Sequence, residues 1–133
     1  MGENRIEAFL EMLLQETIQG TRVWHPISKN VVETNPKAGV VLCEDEWHRV
    51  RIGNSFCMKF RDGYIFLIDE YSESGRDGTV FDGLVLYVQP NLSCDLFELS
   101  RDSTYLYRIV SIISEKRKVP KEVEEFIKEF MDA

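Results

Sequence analysis

Four short runs decide the fold: NSFCMKF (54–60), RDG (61–63), YIFLIDEY (64–71) and, after a polar interval, GLVLYVQP (83–90). Val, Ile, Phe and Tyr dominate them, and such side chains suit a pleated, half-buried surface. Gly, Asp and Ser fill the intervals and turn the chain. The runs predict three adjacent antiparallel strands. Phe56, Met58 and Phe60 alternate with Ser55, Cys57 and Lys59, which predicts one buried face, with Cys57 on the other side of the strand under a helix. Asp62 and Gly63 supply a favoured hairpin turn pair. Residues 64–68 and 84–88 are apolar throughout, as in strands covered on both faces. The interval SESGRDGTVFDG (72–83) reads as an exposed connection.

Working outward, Ile6, Phe9, Leu10, Leu13, Leu14 and Thr17 recur at helical spacing, predicting an amphipathic helix over 3–19 with Asn4 as its cap and Gly20 at its end. Residues 21–25 (TRVWH) read as a short strand stopped by Pro26, with Trp24 pointing inward. A turn-rich stretch follows over 27–38, read as a loop long enough to hide a short helix. GVVLC (39–43) and HRVRI (48–52) are expected as strands, as are residues 96–99. Asp102 or Ser103 then caps a helix carrying Tyr105, Leu106, Ile109, Val110, Ile112 and Ile113, with Lys116, Arg117 and Lys118 in its last turn. Pro120 opens a final helix whose stripe is Val123, Phe126, Ile127 and Phe130. The class is α+β: one domain over 1–133, with an N-terminal helix, a mostly antiparallel sheet of about five strands and two C-terminal helices.

A chain of 133 residues can enclose one core without metal or disulfide. Its net charge is −7, and the excess sits in the sheet: residues 54–99 hold 3 basic and 8 acidic side chains, whereas residues 100–133 hold 7 of each. Such a field repels phosphate backbones and anionic lipid, so nucleic acid and membrane are excluded as expected partners and a basic protein is favoured. The three cysteines, Cys43, Cys57 and Cys94, lack the paired spacing of a zinc or redox motif and read as reduced thiols. With no apolar stretch of signal-peptide or spanning length, the cytoplasm is the expected compartment.

Little in the chain points to chemistry. Phosphate-binding glycine fingerprints are absent, and no cofactor is implied. His25 and His48 with Cys43, Cys57 and Cys94 are the material for nucleophilic catalysis, and spacing along the chain leaves open whether any pair meets in space. Cys43, Glu44, Glu46 and His48 are the densest set of metal-ligand types, but a strand would put Cys43 on the opposite face from the other three, and no second group follows. Asp69 and Glu70 are neighbours on a strand, so they face opposite ways, form no carboxylate dyad, and are expected to mark where the strand leaves the core. Trp47, inside an acidic run, is a candidate anchor for a basic protein surface.

LLQETIQGTRVW near the start, YIFLIDEY and LVLYVQP in the middle and STYLYRIVSII near the end together resemble a loose group of small uncharacterised bacterial α+β proteins, mainly Gram-positive and sometimes phage-associated. In that group a leading helix ends in T-x-x-G-x-x-x-W, here Thr17, Gly20 and Trp24, and an L-Y-R-[IL] helix comes late. The resemblance implies the fold and brings no activity, so it assigns no catalytic residue. The reading reached is a non-enzymatic, cytoplasmic protein-binding domain acting through an acidic surface, of the immunity or antitoxin type, with Glu44, Glu46, Trp47, Glu73, Asp77 and Asp82 as partner-binding residues. The competing class is a small enzyme or ligand-binding domain with a pocket between sheet and helices.

Overall fold

The computed structural model describes residues 3–44, 48–73, 80–116 and 119–133. Its elements run α1 (Glu3–Gln19), β1 (His25–Pro26), α2 (Lys29–Thr34), α3 (Ala38–Leu42), β2 (His48–Val50), β3 (Phe56–Phe60), β4 (Gly63–Glu73), β5 (Val80–Gln89), β6 (Phe97–Arg101), α4 (Thr104–Glu115) and α5 (Lys121–Asp132). This is the α+β class: a leading helix, an antiparallel sheet and two closing helices. The six strands form one sheet in the order β1-β3-β4-β5-β6, with β2 also paired to β4. β3 and β2 share one side of β4, β3 along 63–67 and β2 along 70–72.

Alternation along the two central strands divides the core. Leu67, Leu84 and Leu86, with Met58, face Leu10, Leu13 and Leu14 of α1 and Leu106 and Ile109 of α4. Phe66, Ile68, Val85 and Tyr87, with Cys57, face Ile27, Ala38 and Val50 on the other side. Each fully buried side chain of this size contributes about 1.5–3 kcal/mol. Both faces are covered, which is why residues 64–68 and 84–88 read as unbroken apolar runs.

The end of α1 gives the T-x-x-G-x-x-x-W pattern a physical content. Gly20 takes φ +79°, the left-handed conformation that closes a helix. The Thr21 and Arg22 amides donate back to the Glu16 carbonyl, so residues 21–22 finish the helix instead of starting a strand, and only His25 and Pro26 pair with β3. Trp24 is buried, and its indole donates to Thr17 Oγ1 at 3.0 Å. Lys116 Nζ donates to the carbonyl oxygens of Thr17 and Ile18 in the last turn of α1, at 2.7 and 2.6 Å. Lys116, expected to serve its own helix, therefore caps α1 and ties it to α4.

Several local expectations are corrected. Asn4 lies inside α1, which begins at Glu3. Residues 39–43 belong to helix α3 and its C-cap instead of a strand, because the contacts recur at helical spacing: Ala38, Val41 and Leu42 pack on the second core while Val40 is 77% exposed. Within 27–38 lies α2, held to the sheet by a buried reciprocal amide pair. Asn35 Nδ2 donates to Gln89 Oε1 at 2.6 Å and Gln89 Nε2 to Asn35 Oδ1 at 3.0 Å. HRVRI pairs only over 48–50 before a 3₁₀ turn at Ile52–Asn54. The last strand is Phe97–Arg101, shifted from the expected 96–99.

In the hairpin, Phe60 pairs with Gly63, so the two-residue turn is Arg61-Asp62 and the positive φ of 53° falls on Arg61. Gly63 is required for another reason: a Cβ there would lie 2.0 Å from the Gln89 carbonyl oxygen, a backbone atom that cannot step aside. Phe60 leaves the buried face and sits between the guanidinium groups of Arg22 and Arg61, 5.1 and 5.2 Å from its ring centre. Within 72–83, the ladder continues outward to Glu73 and Val80, shortening the expected connection.

Candidate functional site

Glu70 was expected at the margin of the core. It is instead 2% exposed, on the second sheet face, at the centre of a polar cluster. Tyr87 Oη donates to Glu70 Oε2 at 3.0 Å, Arg101 Nη2 donates to Oε1 at 3.2 Å, and His48 Nε2 lies 3.5 Å from Oε2. Arg101 also donates to Glu98 and lies over the Phe81 ring, 4.2 Å from its centre. Its pKa is raised, first by the bond to Glu98. Burial pushes the Tyr87 phenol well above its ordinary value, and the Glu70 charge adds to the shift. β2, β4, β5 and β6 each supply one member, and the sheet register holds them together.

His48 Nδ1 lies 2.7 Å from the carbonyl oxygen of Cys43, on the side of the ring away from Glu70. An open recess of about 420 Å³, lined by Val40, Val41, Cys43, His48 and Tyr87, lies above this cluster. A second open recess of about 540 Å³ is lined by Lys59, Asp62, Tyr64, Asn91, Leu92 and Ser93. His25 and Cys57 are cross-strand neighbours, paired in the register of β1 and β3. His25 is exposed, whereas Cys57 is buried and desolvation raises its thiol pKa, opposite to the shift that makes a nucleophile.

On the first face, Asp69 joins a separate network, as the alternation of neighbours requires. Arg51 Nη1 donates to Asp69 at 2.9 Å and to Asp82 at 2.6 Å, and Nη2 donates to Asp82 at 3.2 Å. Asn54 completes the set with a 2.7 Å bond to Asp69. The fork from Arg51 lowers the Asp82 pKa. A carboxylate with a lowered folded pKa stabilises the fold at neutral pH, and that contribution is lost as pH falls through the lowered value. Arg51→Met is expected to return Asp82 to the ordinary carboxylate range, read by NMR titration of its carboxyl carbon. An unchanged Asp82 titration would show that the fork is not the cause.

Of the six residues nominated for partner binding, Asp82 is engaged by Arg51, and Glu44 is exposed with Arg49 Nη1 at 3.6 Å. Glu73 ends β4 opposite Val80. Glu46, Trp47 and Asp77 lie outside the described residues. Of the ligand-type set, Cys43 meets His48 through its carbonyl and Glu44 turns to Arg49. Among the described residues, no three His, Cys, Asp or Glu side chains gather as a metal site, and no helix is long and apolar enough to cross a membrane.

A feature read from sequence only as a stripe proves to be an apolar surface open to solvent. Val123, Phe126, Ile127, Phe130 and Met131 of α5 are 43, 70, 48, 78 and 76% exposed. The rest of α5 is exposed as well. Glu122, Glu124, Glu125, Glu129 and Asp132 outnumber Lys121 and Lys128 on its polar side. No protein-family model matches the chain, and no curated protein or solved structure matches it.

Proposed function

We propose that this protein works by binding another protein, without catalysis, and that α5 makes the apolar part of the contact inside an acidic surface. The supporting observation is the contrast between two apolar populations. Those at the centre of the sheet, along 64–68 and 84–88, are covered by α1, α4 and the 27–42 segment, whereas the stripe on α5 is open to solvent. A helix of 12 residues is marginal in water by itself, so exposing Phe126 and Phe130 on it makes sense as a prepared contact. The burial of the Cys57 thiol, which raises its pKa, also favours binding over chemistry.

In this reading the protein resides in the cytoplasm, and its partner is basic. The acidic residues nominated along 44–47 and 73–82 steer the encounter, while α5 supplies the lasting contact. The role that suits a small acidic α+β domain is neutralisation of a basic protein, as immunity and antitoxin-type proteins do, and this rests on analogy of class. The competing reading, a small enzyme, would use the recess lined by Cys43, His48 and Tyr87.

The test compares co-purification of a defined partner from the source cells by the parent chain and by two sets of variants. Phe126→Ser with Phe130→Ser is expected to abolish recovery, and Glu73→Lys with Asp82→Lys to weaken it and flatten its dependence on salt. Cys43→Ser, Cys57→Ser, His25→Gln and His48→Gln are expected to leave it intact. The opposite pattern, with the phenylalanines silent and one thiol or imidazole essential, would transfer the assignment to the enzyme.

A further inference from the structure

The geometry points to a specific kind of partner surface for α5: an apolar groove in another protein, with Lys or Arg along the rim that faces Glu122 and Glu129. The inference rests on α5 being the docking element and adds what must lie opposite it. Val123, Phe126, Ile127 and Phe130 stand at i, i+3, i+4 and i+7, the spacing with which a helix fills a groove. At about 3.6 residues per turn, Glu122 and Glu129 fall along one margin of this stripe, and Glu124 and Lys128 along the other. An occupied groove therefore meets two carboxylates and no cation along the margin of Glu122 and Glu129, and basic side chains on that rim are the complement.

The same margins weigh against two other occupants. In an antiparallel pair of α5 helices from two copies, the Glu122 and Glu129 margin meets its own copy, like charge against like, and each body carries a net charge of −7. A lipid surface binds amphipathic helices whose polar face is rich in Lys and Arg, whereas α5 has five acids and two lysines.

The full chain is titrated against two designed two-helix hairpins that display the same leucine-lined groove, one rimmed by lysines and one by glutamates. The lysine-rimmed hairpin is expected to bind at least about tenfold more tightly at low salt, with the difference shrinking as ionic strength rises. Phe126→Ser with Phe130→Ser should remove binding to both, and Glu122→Lys, Glu124→Lys and Glu129→Lys together should reverse the preference. Near-UV circular dichroism checks that each variant keeps its core. If the phenylalanine variant binds as the parent does, α5 is not the docking element and the functional reading falls with it. If that variant loses binding but the two rims bind equally, only the inference about the rim is overturned. Phe126-dependent self-association in sedimentation, or Phe126-dependent binding to vesicles of phosphatidylcholine and phosphatidylglycerol, would overturn it in favour of a second copy or a membrane.

Discussion

Phe66→Ala lowers the free energy of unfolding by about 3–5 kcal/mol, read from denaturant titration. Phe66 has no exposed surface, sits in the middle of β4 between Cys57 of β3 and Tyr87 of β5, and faces the core closed by Ile27 and Ala38. Truncation removes most of an aromatic side chain and leaves a void lined by backbone that the sheet ladder holds in place, so little of it can collapse. Ile109→Ala on the other face should cost about 2–5 kcal/mol by the same reasoning. Phe126→Ala on α5 is the contrasting case: at 70% exposure it is expected to change stability by less than about 0.5 kcal/mol. Losses under about 1 kcal/mol for both core variants would mean that the two-faced core is wrongly placed.

What was legible in the sequence follows from how local its cause is. α1 ends where its apolar period stops and Gly20 follows, and the central strands stand out because both of their faces are apolar. Ser103 was legible as a cap, and its hydroxyl accepts from the Tyr105 amide at 3.3 Å. The misreadings share a different origin. GVVLC has β-branched residues that suit a strand, yet Ala38, Val41 and Leu42 meet the sheet at helical spacing, which only tertiary packing selects. Arg61, not Gly63, takes the left-handed turn position, because Gly63 is needed where the backbone at Gln89 comes close.

The site was less legible for the same reason. Asp69 and Glu70 were separable by alternation alone, and the structure places them in two networks on opposite faces. The partners of Glu70 come from positions 48, 87 and 101, and nothing in their spacing announces that β2, β5 and β6 converge there. The stripe of α5 was visible as a pattern. Its exposure was not, since an amphipathic helix reads the same whether its apolar face meets its own sheet or a partner.

Arg101→Met is expected to cost about 2–4 kcal/mol at neutral pH, more than an exposed salt bridge could account for. The Arg101 side chain is 38% exposed and its bond to Glu98 is shared with water, so that pair contributes little. Its other partner is different. The Glu70 side chain is only 3% exposed, and without Arg101 its charge is left with the Tyr87 hydroxyl and His48 and almost no contact with solvent. Methionine keeps much of the stem that lies against Phe81, so lost packing is a small part of the effect. Glu70→Gln in the Arg101→Met background should then recover part of the loss, because an amide leaves no charge unpaired, whereas Glu70→Gln alone should destabilise. It leaves one acceptor oxygen where the carboxylate offers Oε1 to Arg101 and Oε2 to Tyr87, and it removes the charge that pairs with Arg101. This sign reversal between backgrounds is the measurement that matters, made as a double-mutant cycle by urea unfolding. Additive losses would show that Arg101 acts through Glu98 and Phe81, and that the buried carboxylate is held by Tyr87 and His48 without it.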